Sequence, residues 1–224
     1  MVNLKIATPV SHLFKSPICI SKIIKFSNCL EVREHSKYHN PKLILLFHFD
    51  IDINLNWSLK EKIYIINKLN KYPKLKLISF QMSKSYNFVK IKNMKFFPLG
   101  QKLSEKQLLN NSKKNISWLK KNLNKDISIA IENNNYYRTG AYEIVTNPKF
   151  ISKVINNNNV FFLFDLAHAI ISSYNMKIDY NHYIQQLPLN KTIQVHICRP
   201  GMGKNEMLDK HYLPNKTIFE NLKL

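Results

Sequence analysis

The chain has 224 residues and a hydrophobic fraction of 45%, so it fits a single domain with a packed core and is not a disordered protein. It carries 34 Lys and Arg against 14 Asp and Glu, and the resulting net charge of +20 is compatible with an acidic or nucleic-acid partner. No stretch reaches the roughly 18 apolar residues of a membrane span, and the N-terminal sequence lacks a signal peptide's apolar run, so we expect a cytoplasmic protein.

Seven short β-rich runs alternate along the chain with helical patterns. Several are nearly continuous apolar runs, which is typical of strands buried on both faces of a parallel sheet. The predicted strands are Leu4–Thr8, Cys29–Arg33, Leu43–Phe49, Leu75–Phe80, Ile127–Glu132, Val160–Asp165 and Thr192–Cys198.

Four segments between these strands have the pattern of amphipathic helices. Ser104 and Gln107 form the pattern of a capping box, and Pro148 lies where the first turn of a helix tolerates proline. The predicted helices are Ser58–Leu69, Ser104–Leu123, Asn147–Ile155 and Tyr180–Gln186.

Repeated β-then-α units form either an open doubly wound sheet or a barrel. The chain has four glycines and none of the glycine-rich phosphate-binding motifs of open nucleotide-binding sheets. The sequence therefore predicts an α/β fold, a TIM (β/α)8-type barrel, as one domain over residues 1–224. Since seven strands are predicted and not eight, either the barrel is incomplete at the C-terminus or one strand has been missed.

The three cysteines, Cys19, Cys29 and Cys198, include no CxxC pair. An odd count without that spacing argues against a disulfide framework or a zinc ribbon. We expect three reduced thiols that are mostly buried.

Polar side chains, most of them carboxylates and imidazoles, recur at and after the ends of the predicted strands, and in a TIM barrel the carboxyl ends of the strands form the catalytic face. An acid after an apolar run is costly to bury unless it is paired or binds a cation. Carboxylate together with imidazole is a ligand set for iron, manganese or zinc. The residues concerned are Glu31, Arg33, His48, Asp50, Glu132, Asn133, Asp165, His168, His196, Asp209 and His211.

Each of these residues also has a simpler interpretation. A lone histidine such as His48 or His182 is more often a hydrogen-bonded core or surface group than a ligand. Asp165 and Glu132 could each cap a helix or pair with an arginine. It is the recurrence at successive strand ends that favours a metal site.

The order and spacing of several short segments resemble a known family. The segments, between residues 127 and 214, are Ile131-Glu132-Asn133, Phe164-Asp165-Leu166-Ala167-His168-Ala169 with Ser172, Ser173 and Asn175, Leu187-Pro188-Leu189, Gln194-Val195-His196-Ile197 and Asp209-Lys210-His211-Tyr212-Leu213-Pro214. In them the chain resembles the multinuclear non-haem iron-dependent oxidative enzymes. These are xylose-isomerase-like TIM barrels that include the oxidase of methanobactin biosynthesis.

This resemblance implies an enzyme with two or three iron ions that uses dioxygen to modify residues, often cysteine, of a ribosomally made precursor peptide. A dedicated partner protein commonly presents that peptide. By position, the resemblance implies that the iron ligands are Glu132, Asp165, His196, Asp209 and His211, with Asn133 and His168 as ligands or neighbours of ligands. Arg199 or Arg138 would orient the substrate, and we take Arg199 and His168 as the candidate catalytic residues.

The sequence departs from the family pattern at three points. Phe80-Gln81 stands where the family has an acid–His pair, so one iron position is lost or rebuilt, and His48 is the candidate replacement ligand. His168 stands where asparagine is expected, and the chain is shorter than typical members.

The predicted function is therefore an iron-dependent oxidase of a precursor peptide, with zinc and manganese as alternative metals. One alternative is a non-catalytic or degenerate barrel that binds a peptide or a partner, which Gln81 favours. The other is a metal-dependent phosphodiesterase or isomerase of the xylose-isomerase-like superfamily, in which the basic surface would contact nucleic acid. The even spread of lysines disfavours a nucleic-acid site and fits the composition of an AT-rich genome.

Overall fold

Strands and helices alternate along the described chain. The computed structural model describes residues 4–37, 40 and 42–221, and residues 1–3, ahead of the first predicted strand, lie outside the described part. In chain order the elements are β1 Ala7–Pro9, α1 Pro17–Phe26, β2 Cys29–Arg33, β3 Ile44–Asp52, α2 Leu59–Leu69, β4 Leu77–Gln81, β5 Val89–Lys92, β6 Lys95–Pro98, α3 Glu105–Asn122, β7 Ser128–Glu132, α4 Pro148–Asn158, β8 Phe161–Asp165, α5 Leu166–Met176, α6 Tyr180–Ile184, β9 Thr192–His196, β10 Arg199–Met202, β11 Met207–Tyr212 and α7 Lys216–Glu220. Two short 3-10 helices, His12–Lys15 and Leu189–Lys191, complete the order.

Seven parallel strands form one sheet in the order β1-β2-β3-β4-β7-β8-β9. The sheet is curled. Glu31 on β2 lies 3.0 Å from His196 on β9, although four strands lie between β2 and β9 in the sheet order. All seven predicted strands form, in chain order, and the described residues add no eighth strand to this sheet. The parallel α/β architecture is therefore confirmed.

The outer face of the sheet packs under the helices and forms the main hydrophobic core. Aromatic side chains carry much of it: the rings of Phe49 and Phe80 stack with centroids 4.9 Å apart, and Trp57 lies 5.3 Å from Phe80. Fully burying a side chain of this size contributes roughly 1.5–3 kcal/mol. This packing explains the apolar runs in the sequence, because a strand that is covered on both faces shows little alternation of apolar and polar residues.

The inner face of the sheet contains a second, smaller apolar cluster. It consists of Leu77, Ala130 and Leu163, with Leu46 packed against them. These residues occupy neighbouring positions on β3, β4, β7 and β8, so they close the inside of the curled sheet below the strand ends. The polar residues of these strands lie further along, toward the carboxyl ends.

Two antiparallel hairpins, β5–β6 and β10–β11, follow the carboxyl ends of β4 and β9. The first turns through Asn93 and Met94, whose φ angles of 50° and 60° match a two-residue type I′ turn. An ion pair between Lys95 and Glu206 links the two hairpins. Neither hairpin was predicted from the sequence.

The predicted helices form as α2, α3, α4 and α6, and the capping box of Ser104 with Gln107 and the proline in the first turn of α4 are both present. Helices α1, α5 and α7 were not predicted. Among the described residues, no helix is long and apolar enough to cross a membrane. The three cysteines are free thiols, as expected, but of the three only Cys29 is buried, whereas Cys19 and Cys198 are half-buried.

Candidate metal centre

A polar layer lies on the inner face of the sheet, above the apolar cluster. Side chains of a strand alternate between faces, so a residue two positions beyond an inner apolar residue also points inward. Leu46 is followed in this way by His48, and Leu163 by Asp165. The members of the layer are buried or nearly so: Glu31, His48, Ser79, Glu132, Asp165 and His196.

His196 bridges two buried glutamates. Its Nδ1 lies 2.9 Å from Glu132 Oε1 and its Nε2 lies 3.0 Å from Glu31 Oε2. Burial opposes the charged imidazole, but the two carboxylates prevail and raise the pKa of His196 well above its usual value. Burial likewise opposes the charged carboxylate of Glu31, yet His196 lowers its pKa to about 2. The three side chains thus form a tightly coupled charged group.

His48 approaches Glu132 from the neighbouring side of the layer. Its Nε2 lies 3.4 Å from Glu132 Oε2, and its Nδ1 lies 2.8 Å from the hydroxyl of Ser79. Burial lowers the pKa of His48, which favours the neutral ring. A neutral ring that donates from Nδ1 to Ser79 leaves the Nε2 lone pair directed into the site, and neutral imidazole is the form that binds metals.

Asp165 serves both the fold and the site. Its Oδ1 accepts a 2.9 Å hydrogen bond from the backbone N–H of His168 and so caps α5. Its Oδ2 faces the polar layer, 3.7 Å from His196 Nδ1 and 3.8 Å from His168 Nε2. Burial raises the pKa of Asp165. A cation near this oxygen would offset the cost of keeping the carboxylate charged.

Asn133 holds the β8–α5 junction in place. Its Nδ2 donates to the carbonyl of Asp165 (2.9 Å) and its Oδ1 accepts from the N–H of Asp165 (2.8 Å). The Asn133 carbonyl accepts from His168 Nδ1 at 2.8 Å, which turns His168 Nε2 toward the carboxylates. Both polar atoms of the Asn133 side chain therefore bond the backbone of a neighbouring strand.

Asp209 and His211 reach the site from the β10–β11 hairpin. Asp209 Oδ2 lies 3.4 Å from His168 Nε2, and its Oδ1 lies 3.0 Å from His211 Nδ1. That second contact is an ion pair when His211 is protonated, and Asp209 raises the pKa of His211. Burial opposes the charged ring, but Asp165 and Asp209 raise the pKa of His168 to about 10.

The donor types and the charge of this region fit a metal centre. One ligand atom each from Glu132, Asp165 and His168 lies within 4.8 Å of the others. The region is strongly anionic: burial together with Asp165, Asp209 and Glu132 raises the pKa of Cys198 to about 12. Carboxylate oxygens with imidazole nitrogens suit iron, manganese or zinc. Protons on the histidines or metal ions would supply the positive charge that the buried carboxylates require.

A cavity of about 160 Å³ opens onto these residues. Glu132, Asp165, His168, Asp209 and His211 line it, together with Arg33, Gln81 and the β5–β6 hairpin residues Met94 and Phe96. A larger cavity of about 290 Å³ lies at the amino ends of β7 and β8, lined by residues of that end of the sheet. The smaller cavity is therefore the one that gives access to the candidate ligands.

The three arginines considered from the sequence occupy different places. Arg33 lines the cavity, and its Nε lies 3.9 Å from Glu31 Oε1. Arg199 donates to the carbonyl of Leu213 and stacks over the Tyr212 ring, while Arg138 donates to the carbonyl of Asn175. The catalytic role of Arg199 stays a prediction.

All the proposed ligands lie in one region: Glu132, Asp165, His168, His196, Asp209, His211 and His48, with Asn133 behind them. Their ligand roles stay predictions. Glu31 was noted at the end of its strand but not proposed as a ligand, although an acid inside the buried run Cys29–Arg33 was a usable signal. The Nε2 atom of Gln81 lies 3.4 Å from Nε2 of His48. Gln81 therefore contacts the histidine that we proposed as a replacement for the ligand missing at Phe80-Gln81.

The part of the chain that contains the candidate metal centre matches a known protein family. Residues 80–219 match the family model described as "RiPP precursor modification enzyme MbnB/TglH/ChrH". Two Caulobacter vibrioides proteins, from strains NA1000 / CB15N and ATCC 19089 / CIP 103742 / CB 15, are each called "UPF0276 protein". Each is 22% identical to this chain over 86 residues, which is 38% of this chain and 31% of the relative. The match thus spans less than a third of these relatives' length.

Solved structures of sugar epimerases share the fold. The E. coli 3-keto-D-glucoside 4-epimerase superposes with a TM-score of 0.61 at 16% identity, covering 99% of this chain and 88% of its own. A D-psicose 3-epimerase gives 0.59 at 14% identity, covering 90% and 77%. These likenesses confirm the xylose-isomerase-like TIM-barrel type predicted from the sequence, with seven strands in the described part of the chain.

Proposed function

Because the chain belongs to the family of RiPP precursor modification enzymes MbnB/TglH/ChrH, we propose that it is an iron-dependent oxidase of a ribosomally made precursor peptide. The observation that carries the proposal is the meeting of Glu132, Asp165, His168 and Asp209 at one cavity inside the matched region. The substrate residue we propose is cysteine, as the resemblance to the iron-dependent oxidative enzymes implies.

The proposed metal centre uses both sides of the cavity. Glu132, Asp165 and His196 would hold metal from the sheet, and Asp209 with His211 would hold it from the β10–β11 hairpin. When bound, iron would supply Lewis-acid and redox chemistry toward dioxygen and a substrate thiolate. Several anionic ligands would lower the net charge of the metal centre and so favour its higher oxidation states.

The chain's own residues would position the metal and the peptide. Asn133 fixes His168 and Asp165 relative to each other, so those two donors are pre-organised before metal binds. Arg33 lies at the cavity, where its guanidinium can bind a peptide carboxylate or carbonyl. The net charge of +20 supports an acidic peptide, or a partner protein that presents it.

The fold alone does not identify the reaction, since sugar epimerases have it too. What favours the peptide oxidase over an epimerase is the family match, which covers β4 to α7 and includes every proposed ligand except His48. A mononuclear zinc or manganese site acting on a sugar or phosphodiester would count against the proposal.

The proposal is tested by co-expression with candidate peptides. Each short cysteine-containing open reading frame next to the gene would be co-expressed with wild type, with His196→Ala, and with the exposed control His182→Ala. We expect a mass change at a cysteine with wild type and His182→Ala and none with His196→Ala, and purified iron-loaded protein should reproduce it only in air. An iron-loaded protein that leaves every neighbouring peptide unchanged would contradict the proposal.

A further inference from the structure

A second group of potential metal ligands includes a thiol. Cys198 lies on the loop between β9 and β10, and one ligand atom each from Cys198, Asp209 and His211 lies within 4.8 Å of the others. The resemblance to the iron-dependent enzymes implied Asp209 and His211 as ligands but gave no role to Cys198. This cysteine therefore adds a donor that the family pattern does not supply.

The surroundings of Cys198 differ from those of the other two thiols. Cys29 is buried within β2 and Cys19 lies on α1, whereas Cys198 is half-buried two residues beyond His196, beside the candidate ligands. Within this group, the buried Asp209 Oδ1 lies 3.0 Å from Nδ1 of the exposed His211. The thiol, the carboxylate and the imidazole of this group therefore lie within reach of one ion.

We propose that Cys198 binds a divalent metal ion as a thiolate, together with Asp209 and His211. The inference rests on the proposed metal centre and adds a sulfur ligand to its hairpin side. On binding, the Sγ–H bond breaks, the Sγ–metal bond forms and the proton leaves to solvent, with no change of oxidation state. A thiolate is a softer ligand than carboxylate, so this position would bind zinc or ferrous iron in preference to magnesium or calcium.

Cobalt(II) is the probe that detects a sulfur ligand directly. Metal-free full-length protein would be titrated anaerobically with Co(II), for wild type, Cys198→Ser, Cys198→Ala and the control Cys19→Ser. Wild type and Cys19→Ser should develop a near-ultraviolet sulfur-to-cobalt charge-transfer band. Both Cys198 variants should lack this band. The weakest-bound cobalt ion should have an affinity at least about tenfold lower in these variants than in wild type, since disturbing the surroundings of a metal lowers its affinity by about 10–100-fold.

The outcomes separate this inference from the proposed function. If wild type binds cobalt without a sulfur charge-transfer band, or if the band persists in Cys198→Ser, Cys198 is not a ligand. Either result leaves the proposed centre of carboxylate and imidazole ligands intact. Wild type that binds no cobalt would overturn both.

Alkylation of wild type gives a second test that does not depend on a folded variant. Iodoacetamide labelling, mapped by mass spectrometry with and without bound cobalt, should show metal protection at Cys198 and none at Cys19. Equal labelling of Cys198 with and without bound cobalt would count against the proposal.

Discussion

At the scale of single residues, Asp165 uses its two oxygens for two tasks. One oxygen caps α5 and the other faces His196 and His168. The sequence left the choice between helix cap and metal ligand open, and the geometry is compatible with both at once. Such dual use means that a simple alanine substitution would confuse loss of metal with loss of the helix cap.

Asp165→Asn and Asp165→Ala should therefore behave differently. Asparagine caps a helix as well as aspartate, so the metal-free Asn variant should keep the helix cap and be more stable than the Ala variant. The Ala variant loses the cap, which costs about 1 kcal/mol. Both should lose metal. Denaturant unfolding of the metal-free proteins, with metal analysis alongside, checks this; an Asn variant that keeps its metal would exclude Asp165 as a ligand.

His211 carries backbone strain at the site. Its φ of 48° lies in the left-handed region, which costs a residue with a Cβ roughly 1–2 kcal/mol. In metal-free protein, His211→Gly should accordingly be more stable than His211→Ala by about 1 kcal/mol. Thermal or denaturant unfolding of the two variants measures the difference. If the alanine variant proved the more stable of the two, the left-handed conformation at this position would be refuted.

At this scale the sequence offered candidate ligands because carboxylates and histidines after apolar runs are conspicuous. The structure brings these side chains into one region, and their ligand roles stay predictions. The sequence did not predict the role of Asn133, whose two side-chain bonds go to the backbone of a residue 32 positions away. Glu31 was noted as an acid at a strand end, but its contact with His196 was not predicted, because that contact spans 165 positions and arises only when the sheet curls. Contacts of that range leave no local pattern.

At the scale of elements, the β10–β11 hairpin is held against α5 by Asn175. The Asn175 side chain donates to the carbonyl of Met207 at 3.0 Å and accepts from its N–H at 2.8 Å. Tyr137 adds a contact, since its hydroxyl accepts from the N–H of Asp209 at 3.2 Å. These bonds place Asp209 and His211 opposite His168, so the hairpin completes the site.

Asn175→Ala should release this hairpin without removing any ligand. Loss of the two bonds leaves backbone groups of Met207 unpaired, which costs about 1–3 kcal/mol or is relieved by movement of the hairpin. We expect faster amide hydrogen exchange over residues 199–212 and weaker metal binding, relative to wild type and to the exposed control Asn181→Ala. Unchanged exchange and unchanged metal affinity would show that Asn175 does not position the hairpin.

The elements themselves were predicted unevenly, for physical reasons. All seven strands of the sheet were recognised within a few residues of their ends, and the central ones stand out because buried parallel strands are apolar runs. Helix α5 was missed because it begins directly after β8 with Asp165 as its cap, and no loop separates the two patterns. The hairpins were missed because β5 and β10 are short and largely exposed, which removes the hydrophobic signal of a strand.

At the scale of the whole molecule, the curled sheet separates an apolar interior from a charged layer above it. Four carboxylates of the site, those of Glu31, Glu132, Asp165 and Asp209, are buried or nearly so. Keeping them charged in the metal-free protein requires the protonated histidines beside them. Metal binding would replace those protons, so metal affinity and folding stability should be coupled.

Metal should therefore stabilise the protein as a whole. A ligand that binds only the folded state adds about 2.7 kcal/mol at a free concentration of 100 times its Kd. Adding ferrous iron anaerobically to metal-free wild type should raise the midpoint of thermal unfolding, and Glu132→Gln should reduce that rise. The control is the exposed pair Lys153–Glu105, where Glu105→Gln should leave the rise unchanged. If the midpoint of thermal unfolding does not change when metal is added, metal binding is not coupled to folding stability.

The metal content of anaerobically purified protein tests the proposed iron centre most simply. Wild type would be measured beside Asp165→Asn and His196→Ala, with the exposed substitutions Asp126→Asn and His182→Ala as controls. We expect more than one iron ion per chain in wild type and in both controls, and substantial loss in the two site variants. Protein that contains no metal in any form, even after reconstitution with iron, would contradict the metal centre and favour a barrel that only binds its partner.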